Sequence, residues 1–429
     1  MGGRRVALLS RNHRSFVISL LATGRLGCDV LPLGTDSPAT VLTKLLAQQR
    51  IELVVHDTEF APLLACALGK QQCTDIQDLL KQRVAGELPR LRRAGNLLVL
   101  TSGSTGLAKG VRRKPALTQI LPPMAGLLEA LPLHLHRPIV LAIPLYHGYG
   151  LTSLALSLAL AAPLHLARRP DIAPLLASVP SGPLPMLVSV PTLLQRWLRT
   201  AQVAGQQRLA AIISGSAPLD AALCTALLDA FGPVLFNFYG STEAGIVAMA
   251  LPADLMAAPG CVGRPLPATL LRLQDADGFP SAPGSTGHIQ VRGPFVLRPH
   301  AMGWLNTGDL GRLDALGRLF LCGRADEMII SGGENVYPQE TESALAAHPA
   351  LADVAVLVVA DAEFGQRIAA FAVPVVPIAV NAAELQGWLR EHLPRYKLPR
   401  EIHLIQQIPR NALGKVDRAQ LAAELQRIA

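Results

Sequence analysis

Residues 209–240, LAAIISGSAPLDAALCTALLDAFGPVLFNFYG, carry the pattern that decides the fold. Leu209 to Ile213 and Val234 to Phe238 are short apolar runs of the length that buried strands have, and Leu219 to Phe231 between them has the length of a helix. A strand, a helix and a strand at this spacing suit a right-handed crossover between parallel strands. The stretch therefore predicts an α/β fold with a mainly parallel sheet.

The chain is expected to divide into a large front part and a small end part. In the front part the alternation recurs, since Ala39 to Arg50 resembles an amphipathic helix and Ile51 to Val55 a strand. Towards the C-terminus the pattern changes to short strands and helices. We predict a boundary at Asp326, with residues 1–325 forming a large lobe of mainly parallel βα-layered sheets and residues 326–429 a small α+β domain, whose mobility is implied only by the family resemblance given below.

The composition excludes several classes of protein. With 50% hydrophobic and 16% charged residues the chain can bury a large core, which rules out a wholly disordered chain. Six cysteines without a Cys-x-x-Cys pair argue against a disulfide scaffold or a zinc ribbon, and they fit reduced thiols in the cytoplasm.

The net charge of +8 is unevenly placed, because residues 326–429 carry 9 basic and 13 acidic side chains and the front part is therefore basic. Aromatic residues are only 4% and do not alternate with basic ones, which argues against nucleic acid as a partner. Anionic cofactors or peripheral contact with a membrane surface explain the charge equally well, and a solvated basic face explains it most simply. The longest uncharged stretch, residues 138–167, is interrupted by Pro144 and Pro163, so a strand, a loop and a helix are expected there and not a transmembrane segment.

A loop rich in small and hydroxyl residues follows the predicted strand Leu97 to Leu100. It reads Thr101-Ser102-Gly103-Ser104-Thr105-Gly106-Leu107-Ala108-Lys109-Gly110. Small residues let backbone N–H groups approach phosphate oxygens, and Lys109 adds a positive charge. The spacing differs from that of a Walker A loop. The simpler alternative is a flexible turn.

A second polar loop, Asn237-Phe238-Tyr239-Gly240-Ser241-Thr242-Glu243, follows the predicted strand that ends the opening stretch. Ligands of open parallel sheets bind beyond the carboxyl ends of the strands, so both loops can face one crevice. There Tyr239 offers a flat face to a purine, Thr242 a hydroxyl to a phosphate, and Glu243 a carboxylate to Mg²⁺.

Three further motifs lie nearer the C-terminus. Asn306-Thr307-Gly308-Asp309 and Gly323-Arg324 bracket a predicted hairpin, where Asp309 can accept from a ribose diol. Ser331-Gly332-Gly333-Glu334-Asn335 exposes backbone at a glycine pair, and residues 409–415, PRNALGK, place Lys415 in a turn. A lone lysine in such a turn is more often a solvent-exposed residue without a catalytic role.

In this order the motifs resemble the adenylate-forming superfamily of acyl-CoA synthetases, luciferases and peptide-synthetase adenylation domains. The likeness extends over nearly the whole chain and includes residues 215–218 (GSAP), 323–330 (GRADEMII) and 333–338 (GENVYP). The chain enters the pattern late, with a shorter N-terminal part than such synthetases usually have. Ala108 also replaces a usual proline.

The resemblance implies that a carboxylate attacks the α-phosphate of ATP to give an acyl-adenylate, and that a thiol, most often CoA, then displaces AMP. The protein is thus expected to be an acid–thiol ligase with ATP, Mg²⁺ and CoA as reactants. Lys415 and Lys109, with His147, are the expected catalytic residues, and Glu243 the metal ligand. The expected ATP- and AMP-binding residues are Thr101, Ser102, Gly103, Ser104, Thr105, Gly106, Gly215, Ser216, Ala217, Tyr239, Gly240, Ser241, Thr242, Asp309 and Arg324.

For the second half-reaction the resemblance implies rotation of the end domain about Asp326. This motion replaces Lys415 by a thiol channel made of Gly332, Gly333 and Glu334. The implied acyl pocket is lined by Tyr146, His147, Gly240 and Gly245. Amino-acid-activating domains usually carry an Asp in the segment 139–167 and a Pro at the position of Ser241; this chain has neither, which favours a fatty or aryl acid without an α-amine.

Two alternatives stay open. One is a ligase that loads the phosphopantetheine of a carrier protein, because that thiol shares the pantetheine arm of CoA. The other is a catalytically silent homologue that binds nucleotide or acyl groups; Lys109, Glu243, Asp309, Arg324 and Lys415 all argue against it.

Overall fold

A computed structural model describes residues 4–67, 69, 71–82, 95–101, 109–112, 117–133, 136–199, 208–275, 277–296, 303–331, 334–361, 365–376, 380–411 and 415–428. The chain divides into two compact units. The first unit comprises Met1–Leu121 and Leu131–Ser189, and the second comprises Pro122–Ala130 and Val190–Ala429.

The first unit is a parallel α/β structure. Its strands are β1 (Arg5–Leu9), β2 (Asp29–Pro32), β3 (Leu53–His56), β4 (Gln72–Asp75), β5 (Leu98–Thr101), β6 (Lys109–Arg112), β7 (Ile139–Leu141), β8 (Leu164–His165) and β9 (Met186–Ser189). Its helices are α1 (Arg14–Arg25), α2 (Ala39–Gln48), α3 (Ala61–Ala67), α4 (Ile76–Lys81), α6 (Gly148–Ala159) and α7 (Ile172–Ala177), with α5 (Leu117–Ala130) divided between the units and a 3₁₀ turn at Thr58–Phe60.

Parallel pairing brings the carboxyl ends of several strands of the first unit to common edges. One sheet has the order β2-β1-β3-β4 with every pair parallel, β7 pairs in parallel with β8 and β9, and β5 with β6 forms an antiparallel hairpin. The apolar sides of β1 to β3 pack on α2 and α3 around a core that includes Leu9, Leu31, Leu42 and Val54. Burial of these side chains is the main stabilising term of such a layer.

The second unit contains a mixed sheet and an antiparallel one, followed by a small domain. Its strands are β10 (Ala211–Ser214), β11 (Leu235–Ser241), β12 (Gly245–Ala250), β13 (Arg264–Pro265), β14 (Leu270–Gln274), β15 (Gly287–Arg292), β16 (Leu305–Leu313), β17 (Leu319–Arg324), β18 (Ile329–Ser331), β19 (Glu334–Val336), β20 (Leu351–Asp361), β21 (Gly365–Pro374) and β22 (Glu401–Leu404). Its helices are α8 (Pro191–Leu198), α9 (Ala221–Phe231), α10 (Pro252–Ala257), α11 (Pro338–Ala346), α12 (Ala382–His392) and α13 (Arg418–Ile428), with a 3₁₀ turn at Arg395–Lys397.

The strand–helix–strand unit predicted from residues 209–240 is present as β10, α9 and β11. The two strands are parallel neighbours, with Ser214 opposite Asn237, and Asp220 caps α9 by accepting from the Leu223 amide at 2.7 Å. β12 and β13 extend the sheet in antiparallel fashion, and β14 to β17 form an antiparallel sheet of their own. The α/β class is therefore confirmed, and the antiparallel sheet is an addition that periodicity did not predict.

The end of the chain forms a separate α+β domain around the sheet β19-β18-β21-β20, with β22 beside β21. Side chains alternate across β20, so Val354 and Val356 join a core with α11 and α12, while Ala355 and Leu357 join one with α13. The predicted boundary at Asp326 lies in the turn between β17 and β18. Its role as a hinge stays a prediction.

The uncharged stretch 138–167 folds as β7, a loop, α6 and β8, in agreement with the sequence prediction. Among the helices that the structure describes, none combines the length and the apolar character that crossing a bilayer requires.

Candidate active site

The clearest polar cluster of the second unit lies where β16 pairs with β17. Asp309 stands opposite Arg324 in the antiparallel register, and Arg324 Nη1 contacts Asp309 Oδ1 at 3.1 Å. The other carboxylate oxygen accepts from the Tyr239 hydroxyl at 2.7 Å. Three residues that the sequence assigned to the nucleotide, from three different strands, are thus joined, and both oxygens of Asp309 have a fixed orientation.

Tyr239 is buried at the end of β11, only 6% exposed. Burial and, after it, the negative charge of Asp309 raise the pKa of Tyr239 well above its ordinary value. The phenol therefore stays neutral and keeps donating to the carboxylate. Its ring belongs to the core of the antiparallel sheet, so its position is set by packing as well as by the hydrogen bond.

Thr307 organises this cluster, although its role was not predicted. Its hydroxyl donates to the Ile289 carbonyl at 3.1 Å, accepts from the Asp309 amide at 3.1 Å, and lies 3.2 Å from the Tyr239 hydroxyl. The only sequence signal for it was its place two residues before Asp309.

Glycine is required at position 308. Gly308 has φ of +78°, and a Cβ there would lie 2.8 Å from Arg324 Nη2. A side chain would therefore displace the guanidinium that contacts Asp309.

Arg324 also reaches the predicted hinge. Its Nε and Nη2 atoms contact the two carboxylate oxygens of Asp326 at 2.9 and 3.3 Å. These hydrogen bonds raise the pKa of Arg324 and hold the pKa of Asp326 below its ordinary value. One guanidinium thus bridges the candidate ribose ligand Asp309 and the hinge residue.

The candidate adenine segments lie at the same edge of the mixed sheet. Gly215, Ser216 and Ala217 follow β10 directly, and β11 runs beside it in parallel to Tyr239 and beyond. Ser216 has a φ of +66°, a backbone conformation that residues other than glycine seldom adopt outside functional or strained turns. The two segments therefore begin at the carboxyl ends of neighbouring parallel strands, and their contact with adenine stays a prediction.

Gly240 and Gly245 face one another across the hairpin of β11 and β12. A Cβ on Gly240 would collide with the Gly245 carbonyl. Gly245 has a φ of +72°, and a Cβ there would collide with the side chain of Phe295. These packing constraints explain both glycines without a ligand. Their predicted part in an acyl pocket stays a prediction.

Glu243 can serve as a ligand for Mg²⁺. It lies half-buried in the turn between β11 and β12, directly after Thr242 in the sequence. Mg²⁺ in nucleotide enzymes keeps several waters and takes one or two carboxylates plus substrate phosphates, so this oxygen donor set fits. Among the described residues, no group of three or more His, Cys, Asp or Glu side chains is placed to hold a metal ion.

In the first unit, Tyr146 and His147 follow β7 and lead into α6. Their rings lie 4.3 Å apart, and the Tyr146 hydroxyl hydrogen-bonds Thr35, while burial raises the pKa of Tyr146 to about 12. Asn12 straps the preceding turn, because its amide donates to the Ile143 carbonyl at 2.6 Å and accepts from the Leu145 amide at 2.8 Å. The strap was not predicted, since it joins residues more than 130 positions apart.

A charged network lies at the carboxyl ends of β1 and β3. Asp57 accepts from His13 at 2.8 Å, from Ser10 at 3.0 Å and from the Arg11 amide at 3.0 Å, and it pairs with Arg168 at 3.2 Å. The His13 nitrogen that faces Asp57 also faces Ser10, at 3.1 Å. A Ser–His–Asp nucleophile needs the two partners on different ring nitrogens, so this network is structural.

Lys415 is exposed, and Asn411 binds its backbone N–H and C=O groups. Several predicted site residues lie outside the described residues: Ser102, Gly103, Ser104, Thr105, Gly106, Gly332 and Gly333. Thr101, Lys109 and Glu334 are described by their backbone alone, at the ends of β5, β6 and β19. Their roles stay predictions.

Comparison with protein families assigns nearly the whole chain. Residues 1–299 match the model of the AMP-binding enzyme family, and residues 340–415 match that of the AMP-binding enzyme C-terminal domain. The chain belongs to the AMP-binding enzymes, within the adenylate-forming superfamily, so the resemblance drawn from the motifs is confirmed.

Similar proteins include several ligases of aromatic acids. The chain is 32% identical to an indoleacetate–CoA ligase from Aromatoleum aromaticum, over 96% of this chain and 86% of that protein. It is also 32% identical to a 2-succinylbenzoate–CoA ligase from Bacillus subtilis (98% and 87%), and 31% identical to a feruloyl-CoA synthase from Amycolatopsis (96% and 87%).

Solved structures agree with this grouping. The o-succinylbenzoate CoA synthetase from Bacillus subtilis, in complex with ATP and magnesium, superimposes with a TM-score of 0.85 at 28% identity, covering 98% of this chain and 90% of that one. ATP-bound MatB from Rhodopseudomonas palustris gives 0.86 at 26% identity, covering 100% and 90%. The enzyme is an AMP-forming acid–CoA ligase.

Proposed function

We propose that the enzyme activates an aryl carboxylic acid with ATP and transfers the acyl group to CoA. The observation that carries the proposal is the cluster of Tyr239, Asp309 and Arg324, which presents an oriented carboxylate and a guanidinium beside the adenine segments. An aryl acid is favoured over a fatty acid by the names of the relatives, which are ligases of indoleacetate, ferulate and 2-succinylbenzoate.

In the first half-reaction an oxygen of the acid bonds to the α-phosphorus of ATP, and the bond from that phosphorus to pyrophosphate breaks. Two anions approach each other, so positive charge at the reacting atoms lowers the barrier. Lys415 and Lys109 are proposed to supply this charge, while Asp309 accepts from the ribose hydroxyls and Tyr239 lies against the adenine. Glu243 is proposed to hold Mg²⁺, which when bound neutralises phosphate charge.

In the second half-reaction the sulfur of CoA bonds to the carbonyl carbon, and AMP leaves with the bridging oxygen. Gly332, Gly333 and Glu334 are proposed to line the channel for the thiol, after the domain beyond Asp326 has turned. Tyr146 and His147, with Gly240 and Gly245, are proposed to bound the acyl group. The strapped turn before Tyr146 supports a fixed pocket wall, because a preorganised site loses less entropy on binding.

Acid-dependent pyrophosphate release tests this function. Purified enzyme with ATP and Mg²⁺ is given ferulate, indoleacetate, 2-succinylbenzoate or octanoate, with and without CoA. We expect release with at least one aryl acid, and thioester with AMP once CoA is added. No release with any acid would favour the silent homologue, and transfer to a carrier protein in preference to CoA would favour the carrier-loading ligase.

We also propose a cytoplasmic location. It is supported by the sequence, whose six cysteines include no Cys-x-x-Cys pair and fit reduced thiols. Peripheral contact with a membrane belongs to the same proposal. It is supported by the outer face of α1, where exposed Ile18 and Leu21 lie between Arg14 and Arg25, and sedimentation with anionic vesicles tests it.

A further inference from the structure

The backbone on both sides of residues 412–414 is held in place in the small domain. Arg410 and Val416 form an antiparallel bridge, the Asn411 amide donates to the Lys415 carbonyl at 2.8 Å, and the Lys415 amide donates to Asn411 Oδ1 at 3.0 Å. The Asp417 amide donates to the Pro409 carbonyl at 2.8 Å. The backbone of Lys415 therefore has a fixed position, set by residues 409–411 and 415–417.

Residues 409–411 and 415–417 form a hairpin, which Arg410 joins to β20 and whose Val416 packs against the core shared by β20 and α13. Arg410 Nε contacts Asp353 Oδ2 at 3.0 Å and its Nη2 contacts Asp353 Oδ1 at 2.7 Å, a two-pronged pair that fixes both distance and angle. Nη2 also lies 3.4 Å from the Val354 carbonyl. The two side chains are 19% and 27% exposed, so the pair is partly screened from water.

Arg410 contacts the edge of β20 that lies away from β21. In the described sheet β20 pairs with β21 along one edge, and the side chains of Glu342 and Arg410 contact backbone groups along the other. Glu342 accepts from the Val356 amide at 3.1 Å, next to the carbonyl that Arg410 approaches. Burial raises the pKa of Glu342 to about 7, and the charges of Arg410 and Arg418 oppose that rise.

We propose that Asp353 and Arg410 are a positioning pair for Lys415. The pair makes no contact with substrate; it fixes the hairpin, and through it the ammonium group that the first half-reaction needs. The inference rests on the proposed function, in which Lys415 acts on adenylation alone. A displacement of about 1 Å of a positioned group can cost about 100-fold in rate, so loss of the pair should be visible in kcat.

The test separates the two half-reactions in Asp353→Ala, Arg410→Ala and Arg410→Lys. Adenylation is followed as pyrophosphate–ATP exchange, with whichever of the four acids named above the wild type turns over fastest. Thioester formation is followed from the synthetic acyl-adenylate of that acid and CoA. Both are run at pH 8, where Glu342 is mostly ionised, and Lys415→Ala is the comparator. Arg427→Ala is the matched control, because Arg427 forms an exposed two-pronged pair with Glu424 in the same domain.

We expect about 10- to 100-fold slower exchange in Asp353→Ala and Arg410→Ala, with thioester formation within about twofold of the wild type. Arg410→Lys keeps the positive charge but loses the two-pronged contact, so its exchange rate should lie between the rates of these variants and that of the wild type. The exchange rate of Arg427→Ala should equal that of the wild type. Adding Lys415→Ala to Asp353→Ala should cost no more than Lys415→Ala alone, because the pair acts through that lysine.

Equal losses in both half-reactions would overturn the proposal, since they indicate a general structural role, and so would unchanged exchange. A wild type that shows no exchange with any acid would refute the proposed function itself. If the wild type shows exchange but Lys415→Ala loses both half-reactions equally, the assignment of Lys415 to adenylation is refuted.

Discussion

The hydroxyl of Tyr239 connects the end of β11 to the carboxylate of Asp309, and Arg324 holds the other carboxylate oxygen. The sequence placed Asp309 and Arg324 on a hairpin and assigned all three residues to one nucleotide. The structure joins the three side chains, and their binding of nucleotide stays a prediction. The part of Thr307 could not be predicted, because its contacts with Ile289 and Tyr239 come from β15 and β11, which the local sequence does not relate to it.

Removing the Tyr239 hydroxyl tests the cluster at the level of one atom. Tyr239→Phe leaves the ring in the core but frees one oxygen of Asp309. Hydrogen bonds to charged groups contribute about 1.5–3 kcal/mol, so we expect KM for ATP to rise about 10-fold or more, with a smaller change in KM for the acid. Steady-state kinetics at saturating acid measure it, and Tyr396→Phe, at an exposed tyrosine, is the control. An unchanged KM for ATP would remove Tyr239 from the nucleotide site.

At the level of elements, apolar runs and helix spacing predicted β3, α2, β10, α9 and β11 to within a few residues. The alternation along these segments is a local property, so a local reading suffices. The antiparallel sheet of β14 to β17 and the strap made by Asn12 depend on pairing between distant segments. No single stretch of sequence carries that information.

The network at the ends of β1 and β3 is an example of such long-range pairing. Register places Leu9 opposite His56, and this brings Ser10 and His13 to Asp57 across more than 40 residues. Burial alone would raise the pKa of Asp57, but hydrogen bonds from His13, the Arg11 amide and Ser10 outweigh it and hold the pKa below its ordinary value. The ionised carboxylate therefore stabilises the folded first unit.

The sign of this shift sets a pH dependence. A lowered pKa gives stability that is present above the unfolded value of about 4 and is lost as the pH falls through the folded value. We expect Asp57→Asn to be less stable than the wild type near pH 7, with a difference that shrinks below about pH 4. Urea unfolding between about pH 3 and pH 7 measures it. Asp78→Asn, at an exposed pair on α4, serves as control, and a difference that does not vary with pH would contradict the assignment.

At the level of the whole molecule, the order of the motifs identified the family, while individual motifs were only moderately specific. In the first unit Tyr146 and His147 follow β7, and in the second Tyr239, Asp309 and Arg324 lie on β11, β16 and β17. Sequence could name these residues because their types suit phosphate, ribose and metal chemistry. It could not supply the contact of Arg410 with Asp353, which joins residues 57 positions apart and depends on tertiary packing.

The central claim is that a carboxyl oxygen of the acid attacks the α-phosphorus of ATP. An acid labelled with ¹⁸O at both carboxyl oxygens tests it most directly, with the products of a complete reaction with ATP and CoA analysed by mass spectrometry. We expect AMP to carry one ¹⁸O and the thioester carbonyl to retain the other, because the bridging oxygen leaves with AMP. Label in inorganic phosphate together with ADP, or AMP that contains no label, would contradict it.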